Sequence, residues 1–207
     1  MQWNELLASG QILKIAGMLA AAACLICGAA HPVQAAELKK KMLVVYFSMP
    51  ETDDPRGMTR DEANSVVVVD GKVLGNTQYV AQLIQERTGA DIFRILPQNP
   101  YPTAHDALVG QAKEEQRQKA RPAISGAVAG MAQYDVVFLG YPNWWADMPM
   151  IVYTFLESYD LSGKTVIPFC THGGSGFSRT IQTIAAKQPG ANVMQDGYAL
   201  SRSRMEE

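Results

Sequence analysis

The chain has 207 residues, 47% of them hydrophobic, and a formal net charge of -2. That length holds one ordinary domain with a real core. The near-neutral balance excludes a protein that grips nucleic acid through a basic face, which phosphate backbones demand, and no internal repeat or long low-complexity tract occurs.

The first segment reads apart from the rest. Ile15 to Ala30 is apolar and uncharged, Lys14 precedes it, and the small-residue stretch "VQAA" follows at Val33 to Ala36. A positive end, an apolar core and a small-residue cut site make the layout of a secretory signal. Residues 1–36 are expected to be a signal peptide, cut after Ala35 or Ala36, with residues 37–207 as the mature domain. The destination would be the periplasm, the cell envelope or the exterior. The alternative is an uncleaved anchor, for which the run is short; membrane contact is expected only in that case. Cleavage removes Cys24 and Cys27 and leaves Cys170, so no internal disulfide is expected. Ala21 stands where lipid attachment at Cys24 would need a Leu-like residue, and no Arg-Arg pair near the start suggests the twin-arginine route.

Met42 to Phe47 ("MLVVYF") is a continuous apolar run, as in a strand buried on both faces of a parallel sheet. Tyr134 to Gly140 and Lys164 to Cys170 look the same. Ala90 to Leu96 is shorter and more polar, an edge strand, and Val193 to Ser201 is the last. Helical patterns lie between them. Thr77 to Thr88 puts Val80, Leu83 and Ile84 on one face, and Thr103 to Ala120 stops before Pro122. Met150 to Ser158 and Ser178 to Lys187 supply two more. Alternating strands and helices predict a doubly wound α/β sheet, with flavodoxin-like strand order 2-1-3-4-5 or a small Rossmann half. In either, a ligand sits outside the carboxyl ends of the strands.

Three loops at that end carry the chemistry. The first ends in "GNTQYVAQLI". Gly75 permits a tight turn, and Asn76 or Thr77 can cap the helix. A helix start is a natural phosphate seat, to which Ser48 and Thr77 would add hydroxyls. An ordinary N-cap without ligand is the plainer reading. No Walker lysine pattern and no GxGxxG occurs, against a nucleoside triphosphate or a dinucleotide here. Residues 49–74 separate Ser48 from Gly75. Their first part is polar and turn-rich; their second, "VVVVDGKVL", holds Asp70-Gly71 between apolar arms, a strong hairpin signal. A loop of this length is usually functional or disordered, and the hairpin favours order.

The loop after the third strand reads "GYPNWWADMP". Either one of Trp144 and Trp145 stacks on a flat ring, or one belongs to the core while the other covers a helix. The loop after the fourth strand reads "CTHGGSGFS". Gly173, Gly174 and Gly176 let the backbone approach a ligand, and Thr171, His172 and Ser175 add polar tips. His172 reads first as a hydrogen bond that shapes the loop. No second histidine completes a metal site, since His31 lies in the signal and His105 on a helix. No G-x-S-x-G elbow supports a hydrolase. A phosphate seat, an indole face and backbone donors at one end of one sheet suit a flat heterocycle with one phosphate, and FMN is the candidate.

The stretches "VVYFS", "GNTQYVA", "GADIFRI", "YDVVFLGYPNWWADMPM" and "TFLESYDLSGKTVIPFCTHGGSG" resemble the flavodoxin superfamily, in its exported bacterial branch, over about Leu43 to Ser203. The resemblance implies non-covalently bound FMN. It implies that Ser48, Asn76 and Thr77 hold the phosphate, that Pro142, Asn143, Trp144 and Trp145 flank the isoalloxazine, and that Thr171, His172, Gly173, Gly174 and Ser175 line its pyrimidine side. Two departures stand out. The family's phosphate loop is compact, and the family ends in a helix, whereas this chain stops at "SRSRMEE" soon after the fifth strand. A shortened C-terminus implies a truncated chain or a covering partner.

The expected function is electron transfer outside the cytoplasm by an FMN-binding redox protein, with a partner protein or a small-molecule electron acceptor. An FMN-dependent NAD(P)H or quinone reductase is the second reading. A flavin-free binding module on the same fold is a third, of another class. Electron transfer needs no protein acid or base, so no catalytic residue is assigned.

Overall fold

The computed structural model describes residues 40–205. The expected signal segment, with Cys24, Cys27 and His31, lies outside the described residues. Among the described residues no helix is long and apolar enough to cross a membrane.

The central sheet runs β4 (Asp91–Arg94), β1 (Met42–Tyr46), β7 (Val136–Pro142), β8 (Thr165–His172), β10 (Tyr198–Ser201), with β9 (Asn192–Val193) also on β8. Every pairing in it is parallel. Numbered along the chain as strands of this sheet, the order is the expected 2-1-3-4-5. The physical reason is legible in burial. β1, β7 and β8 are buried along nearly their whole length and take the centre, while β4 is half exposed and takes an edge. Close packing between the central strands relies on Gly140, where a Cβ would stand 2.0 Å from the Phe169 ring.

The last strand comes in two pieces. Val193 pairs Val166 and Tyr198 pairs Phe169, so the chain spends more residues on this edge than β8 does. The break lies opposite Pro168, which has no N–H to offer a ladder. The small ribbon of β5 (Leu96–Pro97) with β6 (Ile124–Ser125) is too short to carry a sequence signature.

Four helices match the periodic segments. They are α2 (Asn76–Thr88), α3 (His105–Gln118), α4 (Met150–Ser158) and α5 (Thr180–Lys187). On α2 the buried face uses Val80 and Ala81, and Leu83 and Ile84 are only half buried. α3 ends in a left-handed residue at Lys119 (φ 52), short of the expected Ala120. α5 begins two residues after the expected Ser178, whose φ of 52 lies outside the helical region.

Between β1 and α2 the polar stretch contains a helix that was not expected, α1 (Arg60–Ser65). A capping box starts it: the Thr59 hydroxyl accepts from the Glu62 N–H, and Glu62 accepts from the Thr59 N–H. β2 (Val66–Val69) follows at once and pairs antiparallel with β3 (Lys72–Gly75). Asp70 and Gly71 both take positive φ, 50 and 75, as a type I′ turn requires. Because Val66 pairs Gly75, the hairpin brings the chain back beside the point where α1 ended.

The return is tight. Gly75 is the N-cap of α2 with φ -64, so it makes no turn that needs glycine. It is glycine because a Cβ there would lie 2.3 Å from the Ser48 hydroxyl. Gly75→Ala is therefore expected to cost about 1–3 kcal/mol through steric overlap alone. At about 2–4 °C per kcal/mol, a thermal melt resolves this. Ser48→Ala in the same chain should recover much of the loss. A Gly75→Ala melting point equal to that of the parent would show that the two segments do not meet.

Candidate functional site

The loops after β1, β7 and β8 open at the carboxyl end of the sheet and share a cavity of about 250 Å³. From the first loop, Ser48, Asn76 and Thr77 line it, all of them buried. The guanidinium of Arg94 donates to the Ser48 carbonyl (3.2 Å) and pins the end of β1. Gly75 caps α2 without any side-chain hydrogen bond, so the first N–H groups of a 13-residue helix have no capping acceptor. Asn76 and Thr77 are the first helical residues, not caps. The Asn76 amide nitrogen donates to the Asn64 carbonyl (2.9 Å), which leaves its buried Oδ1 without a partner among the described residues. The Thr77 and Thr171 hydroxyls meet at 2.8 Å, fully buried, and join the first loop to the last. One of the two donates; the other keeps its hydrogen for a further acceptor.

The loop after β7 makes the opposite wall with Pro142, Asn143, Trp144 and Trp145. It is tied to the end of β8 and the loop after it at three points. The Asn143 N–H donates to the Thr171 carbonyl (2.8 Å), and its amide donates to the Gly176 carbonyl (2.8 Å) and the Ser178 hydroxyl (3.1 Å). Trp144 is half buried and stands edge-on to Phe47 (centroids 5.5 Å) and Tyr101 (5.8 Å). Trp145 is 46% exposed and lies along α3, with its indole N–H on the Val109 carbonyl (3.3 Å) and the Lys113 ammonium 4.8 Å above its ring. So one indole joins an aromatic cluster and the other covers a helix, while both still line the cavity. Trp145 and Ala146 have φ of 53 and 60 and form the centre of a two-residue turn closed by paired hydrogen bonds between Trp144 and Asp147.

From the end of β8 and the loop after it, Thr171, His172 and Gly173 reach the cavity. Gly174 and Ser175 stand outside its wall. Gly174 (φ 140) donates its N–H to His172 Nδ1 (2.9 Å), the loop-shaping hydrogen bond that the sequence suggested. Because Nδ1 accepts, the neutral ring carries its proton on Nε2. Burial holds the His172 pKa below its ordinary value. Cys170, beneath the loop, is a free thiol that burial pushes up to about 12, so it is inert. Among the described residues no cluster of potential metal ligands occurs.

Sequence reading missed a second shelf of the wall. Met49, Glu51, Asp61, Asn64 and Ser65 reach it from the stretch between β1 and β2. α3 adds His105, Leu108, Val109 and Ala112, and Arg202 closes the last corner. Leu108, Val109 and Ala112 carry a readable helical stripe; Arg202 stands at the carboxyl end of a strand, where a ligand site was expected. The other residues depend on a path that only the folded chain reveals. Glu51 hydrogen-bonds His105 Nδ1 at 2.9 Å across the cavity mouth.

The flavodoxin family profile (Flavodoxin_4) matches residues 65–207. A candidate flavoprotein from Bacteroides eggerthii is 30% identical over 80% of this chain and 93% of its own, with a TM-score of 0.61. A second, from Bacteroides uniformis, is 28% identical over 81% and 96%, also at 0.61. A flavoprotein from Lactobacillus acidophilus, solved in complex with FMN, shares the fold at 18% identity and a TM-score of 0.56, over 81% of this chain and 97% of its own. Comparison with curated proteins gave no match. With the doubly wound sheet, its strand order and a profile match over more than half its length, the chain belongs to the flavodoxin family.

Proposed function

We propose that the protein binds FMN in this cavity and serves in electron transfer outside the cytoplasm. The supporting observation is that a helix start without a capping side chain, an indole pair and a glycine loop converge on one cavity, closed by the buried Thr77–Thr171 hydrogen bond. The residues present suit each part of the ligand. The free N–H groups and the positive end of α2 suit a phosphate. The orphaned Asn76 Oδ1 suits a hydroxyl of the ribityl chain, since a buried acceptor left unpaired costs about 1–3 kcal/mol. Trp144, Leu108, Val109 and Ala112 offer an apolar wall for a flat ring. When bound, FMN supplies the electron exchange; the protein orients it and limits water. His172, held neutral in the loop, is a shape-giving group with an Nε2–H to donate. The exported location rests on the layout of residues 1–36.

FMN added to the purified chain is expected to bind with quenched fluorescence, and riboflavin, without the phosphate, to bind more weakly. Aromatic contacts to flat bases contribute about 1–3 kcal/mol, so Trp144→Ala should weaken FMN by roughly 5- to 150-fold. A colourless protein that gains no flavin absorbance would instead mark a flavin-free module. Anaerobic addition of NAD(P)H to the loaded protein is expected to leave the yellow colour; rapid bleaching would assign a reductase.

The cavity mouth also has a pH signature. The Glu51 hydrogen bond raises the His105 pKa above its ordinary 6.5 against the opposing effect of burial, and the charges of Glu51, Asp61 and Asp106 add to the rise. A raised folded value means that the pair contributes fully below about 6.5 and fades as pH rises through the raised value. His105 is 42% exposed on its side chain, so the contribution is about 1 kcal/mol or less. An NMR titration should show His105 titrating above 6.5, and Glu51→Gln should bring it down. The stability gap between parent and variant should close at alkaline pH; a gap that persists there would rule out the ion pair as its source.

A further inference from the structure

We infer that Arg202, a residue outside the family motifs, is the cation that sets the charge balance at the ring end of the cavity and so tunes the bound flavin. The inference rests on the FMN reading above. β10 pairs β8 with Ser201 opposite His172, so the residue after β10 emerges beside Gly173. Arg202 begins the short 3-10 turn there and lines the cavity with Thr171, His172 and Gly173. A Cβ on Gly173 would lie 3.1 Å from the guanidinium carbon. Gly173 has no left-handed φ, unlike Gly174 and Gly176, and with no Cβ it leaves the guanidinium room to lie against the loop.

Among the described residues the guanidinium meets no carboxylate. Arg56, Arg117 and Arg121 are each paired with a carboxylate. Arg202 makes no ion pair or hydrogen bond among the described residues. Asp61 lines the same cavity without pairing to it, and Glu51 is engaged by His105. Among the described residues Arg202 is thus a cation with unused donors, standing at the loop expected to flank the pyrimidine edge of the ring. Two electrons and one proton, taken from an external reductant, convert oxidised FMN to a reduced form with one extra negative charge on that edge. A fixed cation beside it binds the reduced form more tightly than the oxidised form. Charge near N1 is one of the protein's levers on flavin electronics.

The test compares the parent with Arg202→Gln and Arg202→Lys. FMN and riboflavin affinities are measured by fluorescence titration, and the two-electron midpoint potential by dithionite reduction against a reference dye. Arg202 is exposed, so all three proteins should melt alike. Arg202→Gln is expected to weaken reduced FMN about tenfold more than oxidised FMN. A tenfold difference is a drop of about 30 mV in the two-electron potential. Arg202→Lys should retain most of the parent potential. An unchanged potential in Arg202→Gln overturns the inference while leaving FMN binding intact. So does an equal loss in both redox states, and so does a loss for FMN with riboflavin unaffected, which would place Arg202 on the phosphate. A parent protein that takes up no FMN overturns both this inference and the function on which it rests.

Discussion

The contact between Ser48 and Gly75 governs the whole carboxyl end of the sheet. β1 delivers Ser48 there, and residues 49–74 must leave that point and come back to it. Gly75 allows the return because it presents no Cβ to the Ser48 hydroxyl. The rest follows in order. Gly75 caps α2 with no side chain in the way, so the first N–H groups face the cavity. Thr77 then lies within reach of Thr171, two strands away across the sheet. A cavity wall interrupted by a long excursion keeps its shape through one missing methyl group.

The opposite wall holds by other means. Trp145 and Ala146 occupy a conformation that non-glycine residues resist, at a cost of order 1–3 kcal/mol each. Contacts with neighbouring elements hold them there. Gln116 on α3 donates to the Trp145 carbonyl (3.2 Å), the indole reaches back to Val109, and the Tyr153 hydroxyl on α4 donates to Asp147 (2.9 Å). Asn143 then fastens this loop to the one after β8. The two loops are fastened together, and the strain in the first is offset by bonds to two helices and to the second.

Much of this was legible before folding. Strand order and the central strands were readable because parallel strands buried on both faces leave continuous apolar runs, as in Met42–Tyr46 and Thr165–His172. The Asp70-Gly71 turn was readable because few dipeptides tolerate positive φ twice in succession. Two details are not legible. Gly75 reads as a turn former, since sequence does not separate a glycine needed for φ from one needed for space. α1 was missed although Thr59 and Glu62 spell a capping box, because its six residues hold one alanine and no apolar periodicity. Glu51, Asn64 and His105 had no local signal at all; they meet through a path set by the hairpin.

That path decides what the excursion between β1 and α2 is for. A decoration of the rim would touch the cavity with backbone or not at all. Here Met49, Glu51, Asp61, Asn64 and Ser65 belong to the wall itself. The Ser65 hydroxyl receives the Glu51 N–H (3.0 Å), which folds the segment onto its own helix and aims Glu51 at His105. The Asn64 carbonyl takes one side of the Asn76 amide and thereby turns the acceptor side inward. The family match begins at Ser65, the last residue of α1, so the groups that orient Asn76 and engage His105 precede it. The excursion is structural to the site: the hairpin fixes where α1 stands, and α1 holds the Asn76 amide so that its Oδ1 is left as a buried acceptor among the described residues.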